Sequence, residues 1–333
     1  KMNKQTYFFF IKHLIFVSIS FFLLIIISLQ NKDKLLKLLP YLFVASLALL
    51  LLVPFLGAEV KGAKRWLDLP FIPRFQPIEL VKPLFIIFVA RIIVIDQKDN
   101  IYQRYLYSFL ILLFVIIFLI NQPDLGQTLL LILSWITMIF VSGFNMIFLS
   151  ILGFLFISFI IFLIMLFPEK FGYIFLRLKT FIDPKVGDNF QSQKALEAIR
   201  QGGLTGQGMG EGILKDEVPE AHTDYIIAVI SEEFGAIFVL FIVTIFLFIG
   251  YKVMNKVFSR NDEFLKLALI GLISLLTIQM FIHIGVNSRL FPTTGMTLPF
   301  LSYGGSSLIG SSIIAGIILN FTRKDSTRDF ENE

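Results

Sequence analysis

The sequence predicts an all-α, polytopic membrane bundle, and three observations predict it. Hydrophobic residues make up 56% of the 333 and charged residues only 16%, against about 25% charged in an ordinary soluble domain. The mean hydropathy is +0.81. The apolar residues gather into nine blocks of a length suited to crossing a hydrocarbon core about 30 Å thick. Such a chain reads as one integral membrane domain, 1–333, because the length rule that suggests two domains does not hold for a bundle in lipid. With no cysteine, disulfides, thiolate metal sites and a Cys nucleophile are excluded. A net charge of +5 suits anionic lipid or a phosphorylated substrate, and nothing points to nucleic acid.

The nine spans are expected near 8–29, 35–57, 79–95, 106–121, 125–142, 144–167, 225–251, 264–287 and 304–321. The first carries Lys12 and His13 near its start, where long side chains reach the interface. It is too long for the core of a signal peptide. The third is short and carries Glu79, Lys82 and Arg91. Because the chain opens on Lys1 rather than Met, an earlier segment is expected to precede it.

Parity then places the loops 58–78, 122–124, 168–224 and 288–303 on one side of the membrane, together with nearly all the unusual chemistry. Charge does not orient the bundle. Lys64, Arg65 and Arg74 on that side match Lys32, Lys34, Arg104 and Lys252 on the other, so the positive-inside rule has no purchase. The loop at 168–224 is too long for a plain connection. Within it, Asn189 to Gln201 reads as a short amphipathic helix with Phe190, Ala195, Leu196 and Ile199 on its apolar side. Gly202 and Gly203 end that helix.

The motifs on the loop side admit two readings each. The run from Gly202 to Gly212 lets the backbone approach a ligand closely, or is a flexible linker; without a preceding strand or a GK[ST] it is no nucleotide fingerprint. Glu220, His222 and Asp224 alternate, so an extended segment would put all three on one face. That triplet admits a divalent cation, although no cofactor is demanded. Asp224 is either a rim carboxylate acting as general base or the cap of the helix that follows. Glu232 and Glu233 lie two turns inside that helix, where at least one must find a cation. Glu79 and Lys82, one turn apart, either pair with each other or leave Lys82 free for an anion or for Glu232 and Glu233. Lys64, Arg65 and Trp66 suit phosphate binding or interfacial anchoring. Asn121 to Gln127 reads as a structural turn. Arg289, the prolines at 292 and 299, and Ser302-Tyr303-Gly304-Gly305 suit a broken helix lining a cavity. His283 reads as bonded within the bundle.

Taken together, KGAKRW, FQPIELVK, NQPDLGQT, AIRQGGLTGQGMGEG, PEAHTDYIIAVISEEFG and GVNSRLFPTTGMTLPFLSYGGSS resemble the SEDS family of cell-wall proteins, in the family's order, over about Lys61 to Ser307. PEAHTD, with GMTLPF before SYGGSS, looks most like the cell-division member, and the elongation member is a close second. The resemblance implies a ten-helix bundle whose first helix is missing here, with the large loop between the seventh and eighth family positions. It implies that the motif side is extracytoplasmic and that the chain sits in the bacterial inner membrane, at the division septum. The implied reaction is polymerisation of lipid II, a disaccharide-peptide on undecaprenyl pyrophosphate, beside a class B penicillin-binding transpeptidase and other division proteins. Asp224 matches the family's essential aspartate. Lys64, Arg65, Lys82 and Arg289 are candidates to neutralise pyrophosphate, and Trp66, Glu79, His222, Glu232, Glu233, Ser302 and Tyr303 complete the expected substrate site. Ile78 and Thr294 depart from the family's common Ser and Lys. A lipid II transporter and a recruiting scaffold are the competing readings. Only the enzyme demands an indispensable carboxylate at the rim.

Overall fold

A computed structural model describes residues 2–60, 62–68, 73–95, 100–183, 189–214, 217–259 and 261–323. Its helices are α1 (Met2–Leu29), α2 (Lys32–Leu56), α3 (Ile78–Ile95), α4 (Ile101–Asn121), α5 (Leu125–Val141), α6 (Met146–Leu166), α7 (Pro168–Ile182), α8 (Phe190–Gly202), α9 (Ile226–Phe258), α10 (Glu263–Asn287) and α11 (Gly305–Thr322). Each of the nine expected spans coincides with a helix. Among the described residues, six helices are long and apolar enough to cross a membrane: α1, α2, α4, α9, α10 and α11. The fold is a polytopic helical membrane bundle.

Polar side chains cap the starts of α2, α4, α5 and α10. Asn31 accepts from the Asp33 and Lys34 amides, and Asn100 with Gln103 forms a reciprocal capping box. Asp124 and Asp262 accept from the third residue of α5 and α10. These contacts satisfy amides that the first turn leaves without partners. The axis of the bundle is α10, which is buried along most of its length and packs against α3, α5, α9 and α11. A small residue makes this approach possible: a methyl group at Gly271 would meet Ile86 at 2.5 Å and Met138 at 2.8 Å. In contrast, α1 packs along α11 and leaves most of its apolar side chains exposed.

Three features of the loops depart from expectation. The 58–78 loop contains a hairpin, β1 (Gly57–Val60) with β2 (Ala63–Leu67), antiparallel with Ala58 opposite Trp66 and a bulge at Ala58/Glu59. Within the expected 168–224 loop, α7 was missed, while the amphipathic helix expected at 189–201 is α8. The third departure is in α9, which bends at Gly235, where φ is 78° and ψ is 175°. The glycine run docks into this bend. Gln207 and Gly208 donate to the Glu232 and Glu233 carbonyls, at 2.8 and 3.0 Å, while Ala236 and Ile237 donate to the Gly203 and Leu204 carbonyls, at 3.0 and 3.2 Å. A side chain at Gly206 would collide with the Glu233 carbonyl. The glycines thus allow close approach to α9's own backbone, and the linker reading is corrected.

Candidate active site

The hairpin, the starts of α3 and α5, α7, the 220–225 turn, the end of α10 and the 293–304 segment converge on one cavity of about 340 Å³. Arg65, Trp66, Glu79, Asp224 and Tyr303, all singled out in the sequence, line it. A Cβ built on Gly295 would stand 3.5 Å from Asp224 Oδ2 and 3.8 Å from Arg65 Nη1, so carboxylate and guanidinium flank one point.

Arg65 is aimed by the turn between α4 and α5. Its Nε donates to the Gln122 carbonyl at 3.0 Å and its Nη2 to the Pro123 carbonyl. The turn's Asp124 is buried and accepts from Gln76 Nε2 at 2.8 Å. Burial is the largest influence on Asp124 and raises its carboxyl pKa above the ordinary value, while Arg65 opposes the rise.

Asp224 is held through its backbone. Glu220, at a φ of 57°, closes a turn in which its carbonyl accepts from the Thr223 and Asp224 amides. Asn287, fully buried at the end of α10, donates to the Asp224 carbonyl at 3.0 Å and accepts from the Ala228 amide at 3.2 Å. Ser302 donates to the Thr223 carbonyl at 2.6 Å, and the Tyr303 amide to the His222 carbonyl at 2.8 Å. Two expectations are corrected here. The segment is a turn rather than an extended strand, so the three side chains do not alternate on one face. The N-cap position of α9 also falls on Tyr225, so Asp224 is not that helix's cap.

The other expected residues divide. Lys82, fully buried, forms an ion pair with Glu79 at 2.8 Å and donates to Gln279 at 3.3 Å; Glu79 also accepts from Gln127 at 2.9 Å. The pairing reading holds, and the expectation that Lys82 serves Glu232 and Glu233 is corrected. Glu232 is fully buried and accepts from the Leu214 amide at 2.8 Å, at the docked glycine loop. Glu232, Glu233, Arg289, Lys64, His222 and Ser302 are not among the cavity's lining residues. Lys64 is exposed and pairs across the hairpin from Glu59. His222 packs its ring against Tyr303 and Phe9. His283 is bonded to the Met296 carbonyl at 2.7 Å. Among the described residues, no three His, Asp or Glu side chains group as metal ligands, which speaks against the 220/222/224 cation site.

Arg177 of α7 was missed. It lines the cavity and donates to the Thr293 carbonyl at 3.1 Å. Burial lowers its pKa, and the neighbouring charge of Arg65 adds to that. The cavity therefore carries three carboxylates, with Glu79 held by Lys82, Glu220 accepting from the Thr223 hydroxyl and Asp224 beside Arg65 to take a proton, and two guanidiniums to face an anion.

The FtsW/RodA/SpoVE family, described as cell cycle proteins, matches residues 1–327. The chain belongs to this family. That is the SEDS family which the sequence motifs resemble. Among its relatives, a probable peptidoglycan glycosyltransferase FtsW of Caulobacter vibrioides is 33% identical, with 93% of this chain and 78% of that protein covered. A protein of the same description from Trichlorobacter lovleyi is 36% identical, over 85% and 75%. Among solved structures, one from a study of how a peptidoglycan synthase complex coordinates polymerization and crosslinking superimposes with a TM-score of 0.76, at 24% identity over 95% of this chain and 89% of that one. A mutant of the rod shape determining protein RodA of Thermus thermophilus gives 0.68, at 25% identity over 93% and 86%. The SEDS fold is thus shared across most of the chain.

Proposed function

We propose that this chain is a peptidoglycan glycosyltransferase that polymerises lipid II into glycan strands for septal wall synthesis. One observation carries the reading: Asp224, Arg65 and Arg177 line one cavity in a chain whose relatives are named peptidoglycan glycosyltransferases. On this reading Asp224 removes the proton from the acceptor's 4-hydroxyl as the oxygen attacks the donor's anomeric carbon. The bond from that carbon to undecaprenyl pyrophosphate breaks with inversion, and Arg65 and Arg177 take up the charge of the departing pyrophosphate. Lys82 acts indirectly, by holding Glu79 in the wall. Nine spans, an extracytoplasmic cavity, the large loop between the seventh and eighth family helices, residence in the inner membrane at the septum and a class B transpeptidase partner belong to the same reading. The peptidoglycan synthase complex among the structural neighbours supports the partner.

The test is glycan-chain formation from labelled lipid II by the purified chain with its transpeptidase. Asp224→Asn should fold normally and lose at least about 10²-fold in rate, the scale of general-base catalysis. Equal polymerisation by a well-folded variant would remove Asp224 from the mechanism. Absence of polymerisation by wild type, with lipid II transport instead, would favour a transporter.

A further inference from the structure

A second cavity, of about 720 Å³, lies between the ends of α3, α5 and α9 and the starts of α4 and α10. Lys266 of α10 lines it, whereas Val286 of the same helix lines the first cavity. Twenty helical residues separate those positions by roughly 30 Å, one hydrocarbon thickness, so this cavity sits at the opposite membrane boundary.

Its wall has both polar and apolar parts. Arg104 Nη1 donates to the Ile93 carbonyl at 3.0 Å, near the end of α3. Arg104 Nε is buried and has no hydrogen-bond partner among the described residues. Lys266 Nζ pairs with Glu263 at 2.8 Å, which uses one of an ammonium's three donors. The Tyr105 and Ser142 hydroxyls, 3.1 Å apart, stand in the same wall. Val94, Leu267 and Ile270 supply the apolar part. Among the described residues, the charged side chains of this wall, Arg104, Lys266 and Glu263, together carry one positive charge, which suits a phosphodiester monoanion.

We propose that this cavity binds the phosphodiester headgroup of an anionic phospholipid. Arg104 and Lys266 contact the phosphate, and the apolar wall receives the start of the acyl chains. Basic pockets between helix ends at a membrane face hold such headgroups, and a guanidinium offers a phosphate paired donors. The site is independent of the glycosyltransferase reading, because no residue lines both cavities.

The test uses the full chain in nanodiscs of phosphatidylcholine alone or with phosphatidylglycerol, followed by native mass spectrometry of retained lipid and by thermal melting. Wild type should retain phosphatidylglycerol in preference to phosphatidylcholine and melt higher in its presence. Arg104→Gln should lower retention about five-fold, the effect of one basic residue near a lipid surface. Because Arg104 also holds α3, a second variant guards against misfolding. Val141→Trp, at an exposed position of the wall, should fill the cavity and lower retention with both charges intact. Retention unchanged in both variants, or equal for the two lipids, overturns the proposal. So does an equal rise in melting temperature from inorganic phosphate, which would make this a site for a free ion.

Discussion

Asp124 and Asp224 are carboxylates near one cavity with different duties. Asp124 is a buried anchor whose proton affinity burial has increased. A raised folded-state pKa means that the folded chain keeps a proton which the unfolded chain has released. Stability is then greatest below the ordinary value of 3.8 and falls as pH rises through the folded-state value. Asp124→Asn removes the titrating group and retains an acceptor for the Gln127 amide. Its melting temperature should therefore vary less than wild type's between pH 4 and about 8; parallel curves would show that Asp124 is not the group responsible. Asp224 was legible because a carboxylate at a membrane rim is costly. Its exclusion as a cap was not legible, since one residue of offset decides it. Arg177 was hidden for another reason: nothing within 168–182 says that this segment folds back over the cavity.

Among the elements, the bend in α9 accounts for the glycine run. Gly206 has a φ of 82° and lies against the Glu233 carbonyl. Gly206→Ala combines backbone strain with a collision, and should cost roughly 2–3 kcal/mol by chemical or thermal unfolding in detergent. Gly172→Ala is the control, because a methyl group in α7 meets nothing within 4 Å; it should be neutral or slightly stabilising. Equal melting of the two variants would show that the loop does not depend on the bend. Helix positions were legible from apolar block length, while the bend, the hairpin and α7 were not. The bend arises from contact with the distant glycine run, whereas the hairpin and α7 are local elements set inside segments too short or too polar for the apolar-block reading to separate from loop.

For the molecule as a whole, the Glu79–Lys82 pair is where four helices meet. Gln127 of α5 and Gln279 of α10 bond to it, and a methyl group at Gly310 of α11 would lie 2.8 Å from the Glu79 carbonyl oxygen. Lys82→Met strands a buried carboxylate and should cost about 3–5 kcal/mol. Adding Glu79→Gln should recover most of the melting temperature, and polymerisation should stay reduced because Glu79 lines the cavity. Full recovery of activity would make the pair purely structural. Sequence spacing showed that the two could meet, but their burial among α5, α10 and α11 is a property of the assembled bundle. The α9 bend also couples two segments of the chain. A straight α9 would join Ala236 to Glu232 and Ile237 to Glu233; in the bent helix all four groups bond instead to residues 203–208. Those residues have nothing to grip until the helix opens, and an opened helix leaves two donors and two acceptors that these residues answer, so the bend and the glycine run complete each other.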